Sequence, residues 1–380
     1  FNPACTATWL QRYAVRLENY DGNNLVFLFI GGHSVIQNAW LRHGHMSRLA
    51  EKFNAAEFII EHRFYGGSKP KPDLSLESLT FLSSEQALAD LACFVKGMNI
   101  LHGFNNPKWI VFGGAYAGSL AAWLRYKYPH LVFAAVSSSS PLQAKVDFPG
   151  GLCDPFEYNE NDIRTFFNHL RINFAYAVQY DRRGMNRDTD AVYIDMNTVC
   201  QIMTDESIHC PNEYLLKTHT LFMKIPLSFI LGRQWYYQIC LEFGWHQSSG
   251  KKDDTFGDQF PTQFFIDICT DVYGPSFIND HLNASTEETN TKYGGKSLPV
   301  LRVVFVQGSI DPTSILGIIK NPPEGSCSIF IKGVAQCADM LPETRDDPPQ
   351  LIEARKKIKQ IVGDWISEKK RQSTKRAFIF

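Results

Sequence analysis

The stretch Trp109–Trp123, WIVFGGAYAGSLAAW, constrains this chain more tightly than any other. Trp109–Phe112 is an apolar run of strand character, and Gly113 and Gly114 follow it. Small residues come next, Ala117, Gly118, Ser119, Ala121 and Ala122, which let a helix pack close against a sheet. A strand that turns sharply into a helix needs glycines where side chains would obstruct the bend. The new helix then points unpaired N–H groups at the turn, where negative charge is stabilised. In such a turn the apical residue carries the chemistry. Here the apex is Ala115, which has no nucleophilic atom. A dinucleotide-binding glycine loop would need a different spacing and an acidic residue about twenty positions further on, and neither is present.

The flanking sequence alternates strand and helix. LVFLFI (25–30), EFIIE (57–61), WIVF (109–112) and LVFAAVSSSS (131–140) read as strands. SSEQALADLACFVKGM (83–98) reads as a helix, with Ser83 and Gln86 as a capping box and Leu88, Leu91, Ala92 and Val95 as an apolar stripe. The helix after the glycine turn stops at Pro129. Fully apolar strands that alternate with helices belong to a parallel sheet covered on both faces. The pattern breaks over residues 151–297, a polar, aromatic and cysteine-bearing region without clear buried strands. Within it DIRTFFNHLRINFAYAV and NEYLLKTHTLF read as helices. Strands resume with VLRVVFVQG and CSIFIKG, and a last helix follows Pro348–Pro349, with Leu351, Ala354, Ile358, Ile361, Val362 and Trp365 at helical spacing. The expected architecture is an α/β domain made of residues 1–150 and 298–380, with a mostly helical insertion at 151–297.

The charge balance, 38 basic against 39 acidic residues, gives no basic face for a nucleic acid. The basic tail Lys369–Arg376 reads as a solvated end. No run of the sequence has the length and apolarity of a membrane span. The opening FNPACTATW reads as a mature or truncated start. Nine cysteines, five of them between Cys153 and Cys269, occur without a C-x-x-C pair, so no zinc knuckle is expected. His43 and His45 lack a third ligand at helical spacing, and neither metal nor cofactor is expected. Asn283-Ala284-Ser285 is a glycosylation acceptor. Together with the mid-chain cysteines it points to a secreted protein or one of the lysosomal or vesicular lumen.

A strand, a glycine-flanked apex and a helix form the nucleophile elbow of α/β-hydrolases, whose remaining triad members follow in the order acid, then histidine. FVQGSIDPTS ends a strand at Asp311, the expected place of the acid. The histidine should follow the next strand, CSIFIKG. All eleven histidines instead lie between His33 and His281, so none can serve as a base in that order.

The chain resembles the serine carboxypeptidase family of prolylcarboxypeptidase, dipeptidyl peptidase II and thymus-specific serine protease. The motifs that carry the resemblance are QRY (Gln11–Tyr13), EHRFYGGS (Glu61–Ser68), FLSSEQALAD (Phe81–Asp90), the elbow with GSLAAW, RQWYYQICLEFG (Arg233–Gly244) and Asp311-Pro312. The resemblance implies an α/β-hydrolase fold with an inserted helical cap, and cleavage of peptides beside proline. It places the nucleophile serine on Ala115, the acid on Asp311 and the histidine on Gln336, so two of the three are lost. It places Gly31, Gly32 and Tyr116 at the oxyanion site and cleft, and a disulfide between Cys240 and Cys269. Gly31-Gly32-His33-Ser34 departs from the family, which usually has two glycines followed by glutamate and glycine. The cap is shorter than the family's, between Phe148 and Val178.

Other residues have plainer readings. Ser119 packs helix against sheet, Ser137–Ser140 form a strand end and loop, and Glu61, His62 and Arg63 form a supporting network. The expectation is a non-catalytic homologue that holds a peptide or protein ligand. The alternative is an active serine-type exopeptidase cleaving beside proline, with its site altered. The sequence leaves the oligomeric state open, a dimer included.

Overall fold

Apolar runs such as Leu25–Ile30 have no polar face to offer water, so they form inner strands of a sheet covered on both sides. The computed structural model of the protein describes residues 8–147, 201, 232–249, 261–367 and 376–379. In chain order the strands are β1 (Tyr13–Arg16), β2 (Leu25–Ile30), β3 (Ala56–Ile60), β4 (Lys108–Gly114), β5 (Ala134–Ser138), β6 (Lys145–Asp147), β7 (Gly244–His246), β8 (Val303–Gly308), β9 (Cys327–Ile331) and β10 (Arg376–Ile379). The α-helices are α1 (Trp40–His43), α2 (His45–Phe53), α3 (Leu76–Leu79), α4 (Ser84–His102), α5 (Tyr116–Lys127), α6 (Arg233–Gln238), α7 (Thr262–Tyr273), α8 (Asn279–Tyr293) and α9 (Pro349–Ile366). The segments 162–178 and 212–222, read as helices from the sequence, lie outside the described residues.

The chain divides into two compact units, residues 1–143 with 291–380, and residues 144–290. Both borders fall a few residues before those read from the sequence. Strand β6 pairs with β7 of the second unit, whereas Tyr293 stacks on Trp123 of the first at 4.2 Å between ring centroids.

The first unit holds an eight-stranded sheet in the order β1-β3-β2-β4-β5-β8-β9-β10. Strand β1 runs antiparallel to β3, and every other pairing is parallel. One face packs Phe27, Ile110, Val136, Val304 and Ile329 against Met46 and Leu49 of α2 and Ala354, Ile358 and Val362 of α9. Alternate residues point to the opposite face, which α4 and α5 flank and where Trp109 and Trp123 are fully buried. Each such large side chain contributes about 2–3 kcal/mol by leaving water.

Helix α4 begins as read: the Ser83 hydroxyl accepts from the Gln86 N–H at 3.2 Å. The reciprocal half of the capping box is absent, because the Gln86 carboxamide accepts from Arg63 and donates to the Thr80 carbonyl. The helix runs to His102, one turn past the sequence reading, and ends where Gly103 takes φ 64°. Strands β1 and β10 escaped the sequence reading because each is a four-residue edge segment.

In the second unit β6 and β7 form a two-stranded parallel sheet. Strand β7 falls inside the region read as strandless; three residues are too few to show a period of two. The polar stretch around Asn283 is helical, as α8, with Leu282, Thr286 and Thr289 buried along one side. Only one of those three is apolar, which hid the stripe. At the ends of the unit, the Ala144 N–H donates to Asn290 Oδ1 at 2.9 Å and Asn290 Nδ2 donates to the Ala144 carbonyl at 2.7 Å. Helix α6 continues into a π-turn, Ile239–Phe243, whose Cys240 is bonded to Cys269 of α7. The bond closes a separation of 29 residues, worth about 3–4 kcal/mol if it acts by restricting the unfolded chain. A Cys240→Ser/Cys269→Ser chain is therefore expected to lose about that much stability, read as a lower urea midpoint at unchanged slope.

Candidate active site

Strand β2 lies between β3 and β4, yet the chain leaves β2 for one side and returns on the other. The carboxyl ends of β2 and β4 thus border the point where strand order reverses, the place where open α/β sheets hold ligands. Gly31 and Gly32 follow β2, and Ala115 follows β4.

Ala115 has φ 53° and ψ −126°, a conformation that costs a non-glycine residue about 1–3 kcal/mol. Its N–H donates to the Ser138 carbonyl at 3.0 Å, and its carbonyl accepts from the Ser119 N–H at 3.1 Å. The bend depends on two glycines. A Cβ on Gly113 would lie 2.0 Å from the Ala117 carbonyl oxygen, and one on Gly118 would lie 2.6 Å from the Ser138 oxygen. Across the crevice, the Gly31 N–H donates to the Ile60 carbonyl at 2.8 Å. Gly32 lies over the start of α5: a Cβ there would be 3.5 Å from Ala117 Cβ.

Asp311 caps the short 3-10 helix Pro312–Leu316 that follows β8. Its Oδ1 accepts from the Thr313 N–H at 2.9 Å and the Thr313 hydroxyl at 2.8 Å. Oδ2 is buried and makes no hydrogen bond of ordinary geometry among the described residues, though the Ser139 hydroxyl lies close enough to act on the carboxyl. Burial pushes this carboxyl up to about 6, against Thr313 and Ser139, which favour its ionised form. Gln336, buried after β9, donates from Nε2 to Thr313 Oγ1 at 3.3 Å. Asp311 and Gln336 therefore meet through one threonine.

Cys337, next in the chain, joins this cluster to the elbow. Its N–H donates to the Ser139 hydroxyl at 2.8 Å. Its sulfur lies beside the Ala115 N–H, and burial raises the thiol well above its ordinary value. A Cβ on Gly114 would be 2.7 Å from that sulfur. The sequence reading missed Thr313, Ser139 and Cys337; their signal was position alone, each lying within three residues of an expected site residue or strand end.

Tyr116 is buried, and its hydroxyl donates to Nε2 of His62 at 3.0 Å, while Nδ1 of His62 donates to the Arg63 carbonyl at 2.7 Å. Burial lowers His62 to about 3, so it stays neutral and keeps that tautomer. The Tyr116 ring is thus packed inside, away from solvent. Glu61 accepts from Arg12, the Ser68 hydroxyl and the Gly67 N–H, and Arg63 forks onto Asp90 at 2.5 and 2.6 Å. These residues hold loops. Ser119 donates to the Pro141 carbonyl, Ser137 to Gly118 and Ser138 to Asp339, so none is poised as a nucleophile. No cluster of three metal-binding side chains occurs among the described residues. No described helix is long and apolar enough to cross a membrane. Asn283 is exposed on α8.

A mostly parallel sheet, an elbow after β4 and an acid after β8 define the α/β-hydrolase class. The chain matches Serine carboxypeptidase S28 over residues 1–150 and 228–358 and belongs to that family. It is 30% identical to the thymus-specific serine protease of Mus musculus, over 98% of this chain and 87% of the relative. It is 24% identical to the lysosomal Pro-X carboxypeptidase of Homo sapiens, over 95% of this chain and 85% of the relative. The mouse alignment runs over 445 positions, whereas this chain has 380 residues, so dozens of positions have no counterpart here. Among solved structures, the proline iminopeptidase of Mycobacterium smegmatis aligns over 94% of each chain at 12% identity, with a TM-score of 0.40.

Two measurements follow. Ala115→Gly relieves the positive-φ strain and loosens the unfolded chain by a smaller amount, so it is expected to stabilise by about 1 kcal/mol in urea unfolding. Asp311 binds its proton more tightly folded than unfolded. Its contribution is complete below the unfolded pKa and lost as pH rises through about 6. The difference of about two units amounts to about 3 kcal/mol. The stability of Asp311→Asn relative to the parent chain should therefore rise by about that amount between pH 4 and pH 7.5. A flat difference would contradict the raised pKa.

Proposed function

We propose that this chain is a non-catalytic member of its family, which keeps the hydrolase scaffold and uses the former active-site cleft to hold a peptide or protein. Ala115 takes the position of the nucleophile, Asp311 that of the acid and Gln336 that of the base. One observation carries the reading: Asp311 keeps a buried oxygen without a hydrogen bond of ordinary geometry, while the adjacent loop supplies Gln336, whose amide bonds Thr313 instead. In a working triad a histidine ring N–H would occupy that oxygen. Without a hydroxyl at Ala115 no acyl-enzyme forms, and without an imidazole nothing activates a hydroxyl placed there. The segment 151–297 is read as a shortened cap. A lumenal location, secreted or lysosomal, is supported by the Cys240–Cys269 bond and by an exposed acceptor at Asn283.

The test is covalent labelling with a serine-directed phosphonate, read by intact mass. The parent chain should not label and should not hydrolyse proline-containing peptides. Ala115→Ser alone and Gln336→His alone should also stay unlabelled, and the double variant should label, because triad members act as a unit. Labelling of the parent would end the reading. Equal labelling of Ala115→Ser and the double variant would mean that another group serves as base.

A further inference from the structure

We infer that the open edge of β1 is an interface between two copies of this chain, which join antiparallel about a two-fold axis at Val15.

Strand β1 ends the eight-stranded sheet, with β3 on its inner side and no described strand on its outer side. The Glu61 N–H donates to the Arg12 carbonyl at 2.9 Å. Bonded pairs alternate along an antiparallel ladder, so the backbone groups of Arg12, Ala14 and Arg16 face β3. Those of Tyr13, Val15 and Leu17 turn outward. The Leu17 carbonyl accepts from the Tyr20 N–H, and a carbonyl oxygen can accept twice. An outward row of this kind is a template for another strand.

The same three residues make the edge apolar. Tyr13, Val15 and Leu17 are 43%, 41% and 39% exposed. Their side chains share one face of the strand, the face that α4 covers. The Tyr13 ring meets Phe94 at 5.4 Å, and Val15 is paired with Phe58, whose ring meets His102 at 5.4 Å. The last turn of α4 presents Ile100 and Leu101, 84% and 63% exposed. Single exposed apolar side chains are ordinary, but a row of them beside an open strand edge marks a docking surface. Charges commonly blunt such edges. Here Arg16, on the other face, is drawn inward onto the Leu41 carbonyl, Ser47 and Glu57.

The order of side chains selects a second copy as the occupant. With Val15 on the axis, Val15 lies opposite Val15 of the second copy, Tyr13 opposite Leu17, and Arg12 opposite Glu18. Apolar residues then meet apolar ones, and a cation meets an anion. The Arg12 and Glu18 side chains are 54% and 76% exposed, so both can reach across. The neighbouring registers are disfavoured. An axis at Ala14 sets Arg12 opposite Arg16, and an axis at Arg16 sets that residue opposite itself. Like charges directly opposite one another destabilise a strand pair. Discrimination of this kind fixes one register. A two-fold contact of one patch with itself also closes, so it stops at the dimer. The strand is only four residues long, so the dimer is expected to have a dissociation constant of about 10 µM, as small transient interfaces do.

The test is sedimentation of the full chain from about 1 µM to about 100 µM, a range that brackets such an affinity. The parent chain should pass from monomer to dimer across it. Val15→Pro removes an N–H that β3 does not use, a change that edge strands accept. It should weaken association about tenfold or more, the worth of the hydrogen bonds it deletes on the axis. Glu18→Lys leaves the backbone alone and makes both Arg12 contacts repulsive. It should also weaken association about tenfold. Circular dichroism checks that each variant is folded, and if Val15→Pro is not, Glu18→Lys decides alone. A parent chain that stays monomeric throughout would overturn the proposal and leave the edge to an extended segment of another protein. A dimer that the folded variants form as tightly as the parent would also overturn it, because the interface would then lie elsewhere.

Discussion

Three stretches of backbone meet around Gly113 and Gly118, with no room for a Cβ on either. The end of β4, the first turn of α5 and the end of β5 are pinned to one another there. The position of Ala115, the field at the start of α5 and the seating of Gly32 above it all depend on that contact. Packing of this density has few alternative arrangements. The unfavourable angles at Ala115 persist because the surrounding contacts over-determine them, even though an alanine side chain carries no polar atom for such a bend to present.

The loop after β9 is held by different means. Arg355 donates to the carbonyls of Ala338, Asp339 and Leu341 and pairs with Asp347. Ser138 donates to Asp339 and Ser139 accepts from Cys337, so the end of β5 grips the same loop from the other side. Gln336 and Cys337 are thus fixed by neighbours that take no part in chemistry. A buried guanidinium that satisfies several carbonyls is costly to remove, so Arg355 holds the loop without help from Gln336.

The alternating strands and helices could be read from the sequence because inner parallel strands are apolar throughout and their helices carry stripes. The elbow could be read because its glycines mark a bend. The absence of any histidine after Asp311 could be read because histidines are countable. What could not be read were contacts between residues distant in sequence. Nothing in the segments themselves says that Cys337 approaches Ala115, or that Thr313 stands between Asp311 and Gln336. Short elements such as β1, β7 and β10 were hidden because three or four residues carry no period. Helix α8 was hidden because threonines occupy two of its buried positions.

The paired hydrogen bonds between Ala144 and Asn290 have a consequence for the history of the chain. They bring the two ends of residues 144–290 together, so the closure of that segment is fixed whatever lies between. Closing a longer or shorter excursion changes the entropy only with the logarithm of its length. Dozens of residues can be gained or lost there for about a kilocalorie per mole of closure cost. A neck of this kind lets the segment be cut and enlarged while the sheet keeps its register.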